Sequence, residues 1–200
     1  MHKQTIPFEL HLTVDKVSAT NSDVFAASCE QEGGKAILIE LSQGDYQHQP
    51  MFTKVLYLAN LSEALHAASQ YDLSFKANGF LVNRVKIEIP AQLTDSANWQ
   101  LQPGFVPYFE WHGKIKYERP DELLQICTDH QVHLSLNALK NATATRFITL
   151  REYGARQQFE TRLAQLIQAL NQQGWPIYKQ QAEYCVYDNN LILDQGWLPN

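Results

Sequence analysis

Two short strings in this chain place a carboxylate and an imidazole at alternate positions: Glu9-Leu10-His11 and Glu110-Trp111-His112. On an extended strand, residues two apart lie on one face. Each string therefore sets a proton-transfer group beside an acid that can orient it. Pro7-Phe8 precedes the first string and Pro107-Tyr108-Phe109 the second, with one residue inserted. Further along each half comes a series of polar residues at alternate positions. Gly79-Phe80 leads to Arg84, Lys86 and Glu88, and Gly174-Trp175 leads to Lys179, Gln181 and Glu183. Asp23 stands six residues before Cys29, as Asp121 does before Cys127. A repeat kept only for packing would preserve apolar positions and let charges drift. Repetition of Glu, His and a basic-to-acidic strand implies two half-sites from an internal duplication.

These residues suggest specific chemistry. His11 and His112 are the candidate acid–base groups. Glu9, Arg84, Lys86, Glu110, Lys114, Lys116, Arg146 and Lys179 are candidates for binding substrate, the cations by clamping phosphate or carboxylate oxygens. Glu88 and Glu183 are candidate ligands for a divalent metal. With His11 and His112 they make a set of two imidazoles and two carboxylates suited to Zn, Ni, Fe or Mn. The expected ligand is an anionic small molecule, bound and, in an enzyme, hydrolysed. Two alternatives stand beside it: a metal-dependent enzyme using His11, Glu88, His112 and Glu183, and a non-catalytic interaction module in which the same groups pair internally.

Three resemblances bear on these residues. Alternating acids and bases on strands resemble the CYTH triphosphate-tunnel enzymes, whose first-strand signature is Glu-x-Glu-x-Lys. Here that strand reads Glu9-x-His11-x-Thr13 and Glu110-x-His112-x-Lys114. The pairs His11-Leu12-Thr13 and His133-Leu134-Ser135 resemble the motifs of two-histidine phosphoesterases, which implies one His as base and the other as acid. The first-strand His and last-strand Glu of each half resemble the ligand set of vicinal-oxygen-chelate enzymes, which implies a metal.

The positioning elements follow from periodicity. Phe8, Leu10, Leu12 and Val14 alternate with Glu9, His11 and Thr13, which predicts a half-buried strand. A short helix over 24–30, strands over 36–41 and 52–58, a helix from Leu61 and a strand over 80–89 complete the first half. The second half repeats that order: strand 108–116, helix 120–129, strands 132–138 and 146–151, helix 159–170 and strand 177–187. The order β-α-β-β-α-β predicts an α+β protein of two tandem ferredoxin-like repeats, 1–90 and 108–200, joined by a linker over 91–107. Their antiparallel sheets are expected to enclose a polar cleft. Gln47-His48-Gln49-Pro50 reads as a loop, and Asp188, Asn189, Asn190 and Asp194 read as turn formers. Trp197 and Leu198 are expected to pin the tail to the body.

Composition narrows the classes. A net charge of −5, without a long run of one sign, disfavours a nucleic-acid surface. The 44% apolar content is ordinary for a folded chain, and no apolar stretch approaches the length of a membrane span. Three cysteines with no close pair argue for buried thiols in a reducing compartment. The expectation is a cytoplasmic protein without nucleic-acid or membrane partners.

Overall fold

A computed structural model describes residues 5–96, 99, 101–138 and 144–197. In chain order the elements are β1 (Ile6–Val14), α1 (Ser22–Gln31), β2 (Lys35–Leu41), β3 (His48–Leu58), α2 (Leu61–Ala77), β4 (Val82–Pro90), β5 (Tyr108–Lys116), α3 (Pro120–His130), β6 (His133–Asn137), β7 (Thr145–Glu152), α4 (Arg156–Gln172) and β8 (Ile177–Asp188). Short 3-10 turns cover Ala91–Ser96 and Leu191–Asp194. No helix among the described residues is long and apolar enough to cross a membrane.

The strands form one closed antiparallel barrel in the order β1-β3-β2-β6-β7-β5-β8-β4. This overturns the expected pair of ferredoxin-like repeats, each with its own sheet across a cleft. β2 pairs with β6 through Ile39↔Asn137 and Leu41↔Ser135, and β4 pairs with β8 through Lys86↔Asp188 to Pro90↔Glu183. Separate sheets would leave rows of unpaired backbone groups along four edge strands. Edge-to-edge pairing of the halves removes those edges. Seen from the chain, the polar strand faces turn into a lumen rather than onto a cleft.

Alternation decides what faces where. The apolar positions point outward, under the helices. Phe8, Leu10, Leu12, Phe52, Ile87 and Ile89 pack with Phe25 and Phe75, from α1 and α2. Phe109, Trp111, Ile148 and Leu150 pack with Leu123, Phe159 and Leu166, from α3 and α4. The two hydrophobic cores thus lie outside the barrel, and the intervening polar positions line its inside. Local signals start the helices: the Asn60 side chain accepts from the Glu63 backbone N–H while the Glu63 carboxylate accepts from that of Ala59. Pro120 opens α3.

The halves match strand for strand, β1 with β5, β2 with β6, β3 with β7 and β4 with β8. Glu9↔Glu88 corresponds to Glu110↔Glu183, and His11↔Thr53 corresponds to His112↔Thr149. Because β4 and β8 are antiparallel neighbours, exchanging the halves also exchanges the two ends of the barrel. Equivalent residues therefore sit at opposite ends.

One end is plugged. Residues 191–197 lie across it, where Gln49 donates to the Leu193 carbonyl at 2.8 Å and the Asp45 N–H donates to the Gln195 carbonyl. The stretch read as a loop at 48–50 is accordingly the start of β3, with Gln49 buried. Trp197 is buried against this end, and Leu198 lies outside the described residues.

Candidate functional site

The lumen holds a cavity of about 240 Å3 whose lining includes Glu9, His11, Arg84, Lys86, Glu88, Glu110, His112, Arg151, Gln181, Glu183 and Asp194. Side-chain exposure falls along the barrel, from 29% at His112 and 24% at Glu9 to 1% at Glu110 and 0% at Asp188. Solvent reaches the cavity from the end that carries Glu9. The other end is the plugged one.

At the plugged end every charged group has a partner of opposite sign. Arg84 donates from Nε and Nη2 to the two oxygens of Asp188, at 3.0 and 2.6 Å. It also donates from Nη1 and Nη2 to Asp194, at 2.8 and 2.7 Å. Arg151 donates to Asp194 at 2.7 Å and from Nε to Glu110 at 2.7 Å, and it lies over the Tyr108 ring. Tyr108 donates its hydroxyl to Asp188 at 2.7 Å. Lys86 bridges Glu110 at 2.6 Å and Glu88 at 3.0 Å. Burial alone would raise the Glu110 carboxyl, but the Lys86 ammonium and Arg151 guanidinium outweigh it and hold it well below the usual range. Burial is likewise outweighed at Asp194, held low by Arg151 and Arg84.

The open end has the same geometry with a different bridge. Gln181 donates from Nε2 to Glu9 at 3.0 Å and to Glu183 at 2.7 Å. Gln181 is the counterpart of Lys86, and Glu9 and Glu183 are the counterparts of Glu110 and Glu88. An amide carries no charge, so nothing at the bridge offsets two carboxylates. Burial, with the Glu88 and Glu9 carboxylates nearby, pushes Glu183 well above the usual range, and Lys86 only partly opposes it. Burial also acts on Glu9, but His11 and hydrogen bonds from Glu183, Thr53 and Gln181 bring it below the usual range. Of the two acids, Glu183 is the one that takes up a proton first. A neutral carboxylic acid beside a carboxylate can both give and accept a proton.

The histidines flank this pair. His11 Nε2 lies 2.9 Å from Glu88 and 3.9 Å from Glu9. With Glu88 as acceptor, Nε2 carries a hydrogen, and Nδ1 has no partner among the described residues. His112 Nδ1 is 2.9 Å from the Thr149 hydroxyl, and its Nε2 is 3.3 Å from Glu110 and 4.0 Å from Glu183. Gly113 follows because the Trp111 ring lies over it: a Cβ there would stand 2.0 Å from the indole.

The expected site residues divide into two groups. Glu9, His11, Arg84, Lys86, Glu88, Glu110, His112 and Glu183 come together in the lumen. Lys114, Lys116, Arg146 and Lys179 do not line it. Lys114 and Lys179 pair with each other across β5 and β8 toward the open end, Lys116 is exposed and pairs with Glu118, and Arg146 lies over the Tyr117 ring. The cations that do line the cavity, Arg84, Lys86 and Arg151, are each bracketed by carboxylates, so the expected anion clamp has no uncompensated cation there among the described residues. For a metal, Glu88, Glu110 and His112 bring donor atoms within 4.8 Å of one another. The Lys86 ammonium already stands between the two carboxylates, where a cation would sit, and the donor set does not fit a metal while it remains.

His133 faces neither histidine. It lies outside the cavity lining, 3.4 Å from Gln43 Nε2 and against the Trp197 ring. Burial, with Arg151, lowers its imidazole to about 4, which keeps it neutral. The paired-histidine resemblance therefore has no common site.

The expected set omits Asp188, Asp194 and Tyr108 and the opposite wall of Ile37, Ile39, Met51 and Phe147, and of the two β7 cations it takes Arg146 where Arg151 faces the lumen. For Arg151 a signal existed. Ile148 and Leu150 are the core-facing positions of β7, so 147, 149 and 151 must face the lumen and 146 must not.

No protein-family model matches the chain, and no curated protein matches it. Among solved structures, a candidate monooxygenase from Fusobacterium nucleatum subsp. nucleatum aligns over 100% of this chain and 99% of its own, at 11% identity and a TM-score of 0.35. A candidate monooxygenase from Lactobacillus acidophilus NCFM aligns over 98% and 100%, at 9% identity and a TM-score of 0.34. A mutant chlorite dismutase from Candidatus Nitrospira defluvii aligns over 94% and 92%, at 11% identity and a TM-score of 0.29. Likenesses this distant leave function to be read from the site.

Proposed function

We propose that the barrel binds a small molecule in its lumen. The ligand's apolar body rests on Ile37, Ile39, Met51 and Phe147, and its polar head meets Glu9, Gln181 and Glu183. The observation that carries this reading is a lumen cavity with two unlike walls, reached by solvent at the end where Gln181 bridges two acids. Ligand sites of this kind combine apolar lining with a few convergent polar groups, and about 240 Å3 lies below the roughly 300–1,000 Å3 of drug-sized sites. The ligand is accordingly small. Among the described lining residues no free cation awaits an anionic head, so the anion does not form part of the proposal.

The experiment is thermal unfolding with a panel of small alcohols, amides, amines and carboxylates, each carrying an aromatic or branched aliphatic body. A ligand at one hundred times its Kd stabilises by about 2.7 kcal/mol, a rise of roughly 5–10 °C for a chain of this size. At least one member should produce such a shift in the wild-type protein and none in Met51→Trp, which fills the lumen from its apolar side. No shift with any member, or a shift that persists in Met51→Trp, defeats the proposal.

A further inference from the structure

We infer that the ligand is a small amine, held as its ammonium ion by Glu9 and Glu183 at the open end; this rests on the lumen-binding reading above. The barrel itself shows how it handles an ammonium. In the plugged half, Lys86 Nζ sits between Glu110 and Glu88 at 2.6 and 3.0 Å. In the open half, the equivalent pair Glu9 and Glu183 is bridged by Gln181 at 3.0 and 2.7 Å, which supplies donors but no charge. The geometry for a cation is repeated and the cation is left out.

The rest of the lumen points the same way. Its lining holds five carboxyl groups (Glu9, Glu88, Glu110, Glu183, Asp194) against three cations (Arg84, Lys86, Arg151), an excess of two acids. Asn137 and His11, each 9% exposed and lining the cavity, leave Asn137 Oδ1 and His11 Nδ1 without partners among the described residues. Asn137 Oδ1 is an acceptor. Trp197 Nε1 is an unpartnered donor, but it belongs to the plugged end. A lumen with an unpartnered acceptor and an excess of acids over cations calls for a ligand that brings N–H donors and positive charge. The apolar wall suits the hydrocarbon part of such a molecule.

Binding exchanges one cation for another. The Gln181 amide gives up its place between the two acids, the O–H bond of Glu183 breaks and its proton leaves to solvent, and the ligand ammonium takes over the neutralisation of the pair. The charged and titratable groups around this exchange are Glu9 and His11 from β1, Lys86 and Glu88 from β4, Glu110 and His112 from β5, and Glu183 itself from β8.

The test is calorimetric titration at pH 7 of wild type with benzylamine, benzyl alcohol and benzoate, and with the corresponding cyclohexyl series. These share a body and differ in the head. Each amine should bind at least tenfold more tightly than its alcohol, the carboxylates should not bind, and about one proton should be released per amine bound in buffers of differing ionisation enthalpy. Gln181→Lys supplies an internal ammonium and should abolish the preference for amines; Glu183→Gln, a neutral replacement for a neutral acid, checks the same point if that variant fails to fold. Equal or tighter binding of the alcohols, or amine binding without proton release, overturns the amine and leaves the lumen reading standing. Binding by no head group in either series, with no response to the wider panel, removes both.

Discussion

Lys86 and Gln181 occupy equivalent places in the two halves of the barrel, each bridging a pair of glutamates from strands two apart in the barrel. Around Lys86, the pair Glu88 and Glu110 is 1% exposed and bridged by a cation, with Arg151 and Asp194 extending the network to the plug. Around Gln181, Glu9 is 24% exposed while Glu183 is buried and pushed well above the usual carboxylate range. One side-chain amine thus separates a structural clamp from a site with chemistry left in it. A buried ion pair needs every member present. The half without its cation is the one that can respond to a ligand, and its position at the open end makes it reachable.

The largest expected effect comes from erasing that difference in the plugged half. Lys86→Gln leaves Glu88 and Glu110 buried around a neutral amide, and removing one partner from such a network costs about 3–5 kcal/mol. Urea denaturation at pH 7 should show that loss. A cost under about 1 kcal/mol would mean that the two bridges are interchangeable and that the contrast between the halves carries no meaning. Asp194→Ala is the next in size. Arg84 keeps Asp188 and Arg151 keeps Glu110, so the loss is that of hydrogen bonds between charged groups, about 2–3 kcal/mol. The same measurement checks it.

A third prediction sharpens the comparison through pH, because the two halves shift their acids in opposite directions. Glu110 is depressed in the folded state, so its contribution is present above the unfolded value near 4.5 and is lost as pH falls below it toward the folded value. Glu183 is raised, so folding is favoured most below 4.5, and stability declines as pH rises from there toward its folded value. Stability of Glu183→Gln relative to wild type should therefore climb with pH from about 4.5 upward, starting within about 1 kcal/mol of wild type where both side chains are neutral. Glu110→Gln should be the more damaging variant at pH 7, by roughly 3 kcal/mol, with its deficit shrinking only below pH 4.5. Parallel pH profiles for the two variants would show that the acids are not differentiated as described.

Much of the lumen was legible because it follows from a period of two. Glu9, His11, Glu88, Glu110, His112 and Glu183 alternate with Leu10, Ile87, Ile89, Trp111 and Tyr184, and that pattern alone assigns them one face. Closure was not legible. It depends on β2 meeting β6 and β4 meeting β8, pairings between residues about a hundred positions apart that no local pattern encodes. Closure is also what makes partners of Arg84, Asp188 and Asp194, so acids that read as turn formers became ligands of an arginine. Lys114 and Lys179 show the limit of alternation in the other direction. They share the lumen-facing phase of their strands, but each lies too far toward the open end to join the cavity.

That last pair supplies the smallest effect and the closest control. Lys179 is the counterpart of Arg84, four residues before Glu183 as Arg84 is four before Glu88. Arg84 is held by two aspartates inside the plug. Lys179 is exposed and directly opposite Lys114. Like charges facing each other across a strand pair repel weakly, and salt screens them where they are solvated. Lys179→Ala should therefore change stability by no more than about 0.5 kcal/mol, with any gain confined to low salt. Arg84→Ala, at the equivalent position, leaves buried Asp188 without a cation and Asp194 with Arg151 alone, and should cost about 3–5 kcal/mol. If the two substitutions cost alike in matched denaturation curves, Lys179 has a partner of its own and the open end is more tightly organised than the plugged end implies.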